Sequence, residues 1–184
     1  MPDSMHEDVE QILFTSEQIR ERVTALGEQI ARDYRGREPH LVTIVKGSIP
    51  FLADLMRSID LPLSIDLLGI ASYAGESSSG EVRLTKDLDD PLEGRHVLVV
   101  EDIIDTGLTL SYVLRNLRQR APASVKVVTF LDKPSGRGTP MEADYVGFTI
   151  PDGFVIGYGL DWNQHYRNLP YVGILKRDVY AGPL

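Results

Sequence analysis

Hydrophobic and polar positions fall into two kinds of block that alternate along the chain. Runs rich in branched apolar residues occupy residues 41–45, 63–71, 97–100, 124–131, 145–150 and 171–175. Runs of this length predict strands buried on both faces, as in a parallel sheet. Between them, apolar residues recur at helical spacing. Ile19, Val23, Leu26, Ile30 and Tyr34 mark one helical face, Phe51, Leu52, Leu55, Met56 and Ile59 a second, and Leu110, Val113, Leu114 and Leu117 a third. Thr15 with Gln18 three residues on forms a capping box for the first helix, and Gly36 is its terminator. Pro50 suits the first turn of the second. Residues 9–13 predict a short leading strand. Val82 and Leu84 alternate with polar neighbours and predict a half-exposed one. The alternation as a whole predicts an α/β fold, a mostly parallel twisted sheet flanked by helices.

The chemistry is concentrated where predicted strands end. The run at 97–100 leads into Glu101-Asp102-Ile103-Ile104-Asp105-Thr106-Gly107-Leu108-Thr109, and then into the third helix. A turn at the carboxyl end of a strand is where open α/β sheets bind ligands. Gly107 lets backbone approach a ligand closely. Free N–H groups at the helix start, with the hydroxyls of Thr106 and Thr109, make an anion seat suited to phosphate. Glu101 and Asp102, as acceptor-only side chains, suit sugar hydroxyls or Mg²⁺. Asp105 lies between acids and seat, positioned to take a proton. The bland alternative is a capped helix whose acids merely solvate a turn, and a lone Asp-Thr-Gly would favour it.

Lys46-Gly47-Ser48 repeats the pattern of strand, glycine loop and helix, with Lys46 a candidate anion ligand. Lys133 also stands where a strand runs out. A lysine there donates to a carbonyl but cannot accept from an amino group, so it suits a ligand bearing an exocyclic carbonyl. Residues 72–80, beginning Ser72-Tyr73, have almost nothing to bury. They read as an idle hairpin loop or as a mobile lid that excludes water.

Composition narrows the classes. A length of 184 residues with 42% hydrophobic content predicts one domain with a sizeable core. A net charge of −8 argues against a nucleic-acid surface. With no cysteine there is neither a disulfide framework nor thiolate chemistry. No apolar run reaches membrane-helix length, and the acidic start lacks a signal-peptide apolar region, so a cytoplasmic protein without membrane partners is expected. His6, His40, His96 and His165 show no metal-ligand spacing, and the absence of a Walker loop argues against an NTPase.

Residues 99–109 resemble the phosphoribosyl pyrophosphate signature of the phosphoribosyltransferases. The two isoleucines before Asp-Thr-Gly resemble the 6-oxopurine branch. The resemblance runs from about residue 9 to about residue 175. It implies the type I phosphoribosyltransferase fold with a small base-binding hood, phosphoribosyl pyrophosphate as donor, Mg²⁺ as cofactor, and hypoxanthine and guanine as acceptors. By the same resemblance, Asp105 takes a proton from the base, Glu101 and Asp102 serve the metal and the ribose hydroxyls, directly or through metal-bound water, and Asp161 holds a second Mg²⁺. The Lys46-Gly47 loop, reached through a cis Val45–Lys46 bond, holds pyrophosphate together with Arg167. Ser72 and Tyr73 belong to a lid over it. Thr106, Gly107, Leu108 and Thr109 seat the 5-phosphate. Ile103 and Phe154 flank the purine, main-chain groups of Val155 read its edge, and Lys133 contacts O6. A homodimer or homotetramer is the implied assembly. Ser48 departs from the pattern, standing where some relatives carry a second glycine. A xanthine-preferring enzyme and a non-catalytic nucleotide sensor stay open beside this reading.

Overall fold

The computed structural model describes residues 4–72 and 82–181. Along the chain come β1 (Val9–Phe14), α1 (Ser16–Asp33), β2 (Pro39–Val45), α2 (Ile49–Ser58), β3 (Ser64–Ser72), β4 (Val82–Lys86), β5 (His96–Ile104), α3 (Leu108–Arg118), β6 (Ser124–Asp132), β7 (Tyr145–Thr149), β8 (Val155–Ile156), β9 (Val172–Leu175) and α4 (Arg177–Ala181). A six-stranded sheet has the order β4-β3-β2-β5-β6-β7, and a three-stranded sheet the order β1-β9-β8. In the larger sheet β2, β3, β5, β6 and β7 run parallel, with β4 an antiparallel edge. The mostly parallel sheet flanked by helices is the fold class expected from the hydrophobic pattern.

Burial on both faces explains why the strands read as continuous apolar runs. On β5, Leu98 and Val100 pack with α1 and α2 residues such as Ile30, Phe51 and Leu55. Val97 and Val99 turn the other way, against Leu110, Val113 and Leu117 of α3. All four are fully buried. The capping box of α1 is present in both directions, Gln18 N–H to Thr15 Oγ1 at 3.3 Å and Thr15 N–H to Gln18 Oε1 at 2.9 Å. The far edge strand β7 is blunted by Arg22, whose guanidinium donates to the carbonyls of Gly147 and Val146.

Two features differ from the sequence expectation. β5 continues past its apolar run, because Glu101 and Ile103 still pair with Thr129 and Leu131 of β6; the carboxylates of Glu101 and Asp102 therefore ride on the strand rather than following it. β8 carries no strand signal of its own. It exists because Val155 and Ile156 pair with Ile174 and Gly173 of β9, which also pairs with β1 near the opposite end of the chain.

The sheet topology sets up the site. The chain leaves β2 through α2 to β3 on one side, and leaves β5 through α3 to β6 on the other. β2 and β5 are neighbours, so a crevice opens between their carboxyl ends at this switch point.

Two stability predictions follow from the packing. Gly27 of α1 lies against α2 so closely that a Cβ there would stand 2.4 Å from Ser58 Cβ and 2.5 Å from its carbonyl oxygen. In an open helix Gly→Ala gains about 1 kcal/mol, but overpacking costs roughly 1–3 kcal/mol. Gly27→Ala is expected to lower stability, read as a reduced urea midpoint. Asp66 is buried, which by itself pushes its carboxyl up. The N–H groups of Asp90, Leu67 and Asp89, with Lys86, outweigh this and hold it below the ordinary value. A depressed folded value means its stabilisation is complete above the unfolded pKa, about 3.9, and disappears as pH falls through the folded one. The difference in unfolding free energy between the native chain and Asp66→Asn is expected to shrink on acidification below that point.

Candidate active site

Loops after β2, β5 and β6, together with the segment from β8 to β9, meet over the crevice. Glu101 and Asp102 line its floor. Glu101 is buried, and its Oε2 has no hydrogen-bond partner. Burial, and then the neighbouring Asp102, push its carboxyl well above the ordinary carboxylate range. Asp102 is pushed up to about 6, chiefly by loss of solvent and further by Asp161, against the opposing pull of the Ile103 N–H and Arg167. That N–H donates to Asp102 Oδ1 at 2.8 Å. Two carboxyls with little cationic compensation are a place where a cation is favoured.

The Lys46–Ser48 loop closes on this floor from β2. The Val45–Lys46 peptide is cis, as the resemblance implies. A Cβ on Gly47 would stand 1.7 Å from Asp102 Oδ2, so a larger residue there would displace the carboxylate. Gly159, in the left-handed region at φ 101°, packs in turn on Gly47, its ideal Cβ 1.9 Å from the Gly47 carbonyl oxygen. Arg167 lies alongside. It pairs with Asp161 at 2.7 Å and donates to the Gly159 carbonyl at 2.7 Å, while its Nε is buried without a partner. Lys46 itself is exposed.

A cavity of about 220 Å³ is lined by Glu101, Asp102, Asp105, Thr106, Gly107 and Thr109, among others. Gly107 adopts the left-handed conformation at φ 79° as the cap of α3, so free N–H groups open toward this cavity. The exposed Leu108 opens the helix, and its N–H donates to Thr106 Oγ1 at 3.4 Å.

A second cavity of about 280 Å³ shares Asp102, Ile103 and Asp105 with the first. Lys133, Phe154, Val155 and Asp161 are among its other walls. Phe154 is backed by Tyr180 of α4, stacked at 5.1 Å and 25°, and by Trp162 edge-on at 5.1 Å. Lys133 Nζ stands 3.6 Å from Asp105 Oδ2 and 3.9 Å from Asp152 Oδ1.

Of the residues singled out in the sequence, Asp105, Ile103, Lys133, Phe154, Val155, Asp102 and Asp161 therefore share one cavity. Thr106, Gly107 and Thr109 line the other, with Glu101. Gly47 and Arg167 stand at the crevice floor. Ser72 ends β3, where its backbone pairs with Val82; Tyr73 and the rest of the expected lid lie outside the described residues. Among the described residues no three His, Asp or Glu side chains converge into a closed metal cage.

Sequence reasoning missed Arg137, Gly136 and Tyr180. Arg137 donates to the carbonyl of Asp105 at 3.2 Å and pairs with Asp132. A Cβ on Gly136 would stand 1.7 Å from Asp105 Oδ1. Nothing in the local pattern marks these positions, because the partners that tie them to the site, Asp105 and Phe154, lie more than twenty residues away.

A helix-start anion seat, a carboxylate floor and a cavity walled by Ile103, Phe154 and Lys133 in one crevice are the features of a nucleotide-handling site, and comparison with known proteins gives the family. The chain belongs to the phosphoribosyl transferase domain family, whose match covers residues 10–163. The hypoxanthine-guanine phosphoribosyltransferase of Bacillus subtilis is 49% identical over 177 residues, 96% of this chain and 98% of that protein. The crystal structure of a hypoxanthine phosphoribosyltransferase from Staphylococcus aureus superimposes with a TM-score of 0.93 at 46% identity, covering 98% of this chain and 99% of that one. A bifunctional TilS/HprT protein of Listeria monocytogenes is 48% identical over 180 residues, and there the chain spans 28% of the relative's length.

The contact between Gly47 and Asp102 yields a prediction. Gly47→Ala is expected to rotate the Asp102 carboxylate out of the crevice, visible in a crystal structure of the variant, and to cost about 1–3 kcal/mol of stability in a urea titration. An Asp102 left in its native rotamer would contradict the packing.

Proposed function

We propose that the chain is a purine-salvage enzyme that transfers the 5-phosphoribosyl group of phosphoribosyl pyrophosphate to hypoxanthine or guanine, giving IMP or GMP and pyrophosphate. The observation that carries the reading is the shared wall of the two cavities. Asp105 borders both, with a helix-start anion seat on one side and Lys133 within 3.6 Å on the other. The name of the Bacillus subtilis relative supports the choice of bases.

In this reading the 5-phosphate sits at the N–H groups of residues 106–109 and the Thr106 and Thr109 hydroxyls. Glu101 and Asp102 orient the ribose hydroxyls. The purine lies between Ile103 and Phe154, its O6 accepts from Lys133, and main-chain groups of Val155 meet its edge. N9 forms the new bond to C1 of the ribose as the C1–O bond to pyrophosphate breaks, its electron pair leaving with pyrophosphate. Asp105 takes the N7 proton. The ribose becomes cation-like on the way, so catalysis rests on positioning and charge. Arg167, Lys46 and the Gly47 main chain hold the departing pyrophosphate.

The residues suit magnesium, because the raised Asp102 carboxyl shares one cavity with Asp161 and the other with Glu101, whose Oε2 has no partner. Glu101 and Asp102 would hold one ion through bound waters and Asp161 a second, and the metal would offset the charge of the leaving diphosphate. A homodimer or homotetramer and a cytoplasmic setting belong to the same reading. No helix among the described residues is long and apolar enough to cross a membrane.

The test is pyrophosphate release with hypoxanthine, guanine, xanthine and adenine offered in turn. Release with the first two supports the reading, release with xanthine alone points to the sister specificity, and donor binding without release on any base points to a sensor. Asp105→Asn is expected to lose roughly 10²–10⁴ in turnover, the usual worth of a positioned base, with donor affinity largely retained. Undiminished turnover in that variant would remove Asp105 from the role.

A further inference from the structure

Loops that carry two cooperating groups must be held in register, and here the groups lie on different strands. Asp105 follows β5, and Lys133 follows β6. The side chain that joins them is Arg137. Its Nε donates to the Asp105 carbonyl at 3.2 Å and its Nη2 to the Ile104 carbonyl at 3.4 Å. The same fork pairs with the Asp132 carboxylate, next in sequence to Lys133, and donates to the Met141 carbonyl at the far end of the loop. Both members of the ion pair are mostly buried, with side chains 14% and 21% exposed.

Main-chain bonds repeat the connection. Lys133 N–H donates to the Ile104 carbonyl at 3.0 Å, and the N–H groups of Gly138 and Thr139 donate to the Thr106 carbonyl at 3.1 and 3.2 Å. Gly136, next to Arg137, leaves no room for a side chain beside the Asp105 carboxylate. A planar guanidinium can serve all these acceptors at once in fixed directions, whereas an ammonium is a single point charge.

We propose that Arg137 is a positioning residue, fixing the proton-accepting Asp105 and the base-reading Lys133 in one geometry through their main chains. This rests on the transferase reading above. Arg137 touches neither substrate there; it sets the angle at which the two groups face the purine.

The experiment compares the native chain with Arg137→Lys and Arg137→Ala, both full length. Steady-state kinetics with hypoxanthine are paired with calorimetric titration of phosphoribosyl pyrophosphate in the absence of base. In Arg137→Lys, turnover is expected to fall by about tenfold to a hundredfold, the scale of a small misplacement of reacting groups, while the donor dissociation constant stays within about twofold. Guanidinium ion added to Arg137→Ala is expected to restore part of the turnover, and ammonium ion is not. Loss of donor and base binding together, with no separate effect on turnover, would reduce Arg137 to a general structural role and overturn the proposal. Unchanged turnover in Arg137→Lys would overturn it as well. Should Arg137→Ala not fold, the lysine variant carries the test alone. A native chain that released no pyrophosphate with any purine would instead sink the transferase reading, so the two failures are distinguishable.

Discussion

Everything at the crevice depends on a pair of carboxyls, Glu101 buried and Asp102 half-buried, at the end of β5. Burial disfavours their charged forms, and the cations within the chain compensate little. A buried acceptor such as Glu101 Oε2, left without a partner, is costly in an ordinary core. At the switch point between β2 and β5 the same deficit becomes a preference for whatever brings positive charge or hydrogen-bond donors. In the proposed reading the ribose hydroxyls and a magnesium ion would supply them.

The surrounding architecture keeps this arrangement in place. Gly47 presses on Asp102, Gly159 presses on Gly47, and Arg167 holds both Asp161 and the Gly159 carbonyl. The two glycine contacts join segments far apart in the chain, and each leaves no room for a larger residue without displacing its partner. The smaller sheet adds the apolar slot. Phe154 begins the β8 segment and is supported from behind by Tyr180 and Trp162, so its ring is fixed before any ligand arrives. A pre-set ring loses less entropy on binding than one that must be ordered.

Much of the framework was legible along the chain. The buried strands show as unbroken apolar runs because α1 and α2 cover one face of the larger sheet and α3 the other. α1 was readable to its first residue, since the Thr15–Gln18 capping box is a local device. The turn from Asp105 to Thr109 was readable for the same reason: a helix start with Gly107 at positive φ is built by its own residues. Strand β8 was not readable, because two residues acquire strand geometry only from a partner elsewhere. Nor was Asp66, whose partners at Asp89 and Asp90 lie more than twenty residues on.

By itself the sequence determined most of the elements and the chemical types at the strand ends, because hydrophobic periodicity, caps and turn residues act over a few positions. What the tertiary structure decided is which ends face one another. It made β2 the neighbour of β5, brought Lys133 to Asp105 and Gly47 to Asp102, extended β5 beneath its two acids and gave Arg137 the carbonyls it joins. Such meetings come from packing across the sheet and from hydrogen bonds between distant segments, and a chain read residue by residue carries no local mark of them.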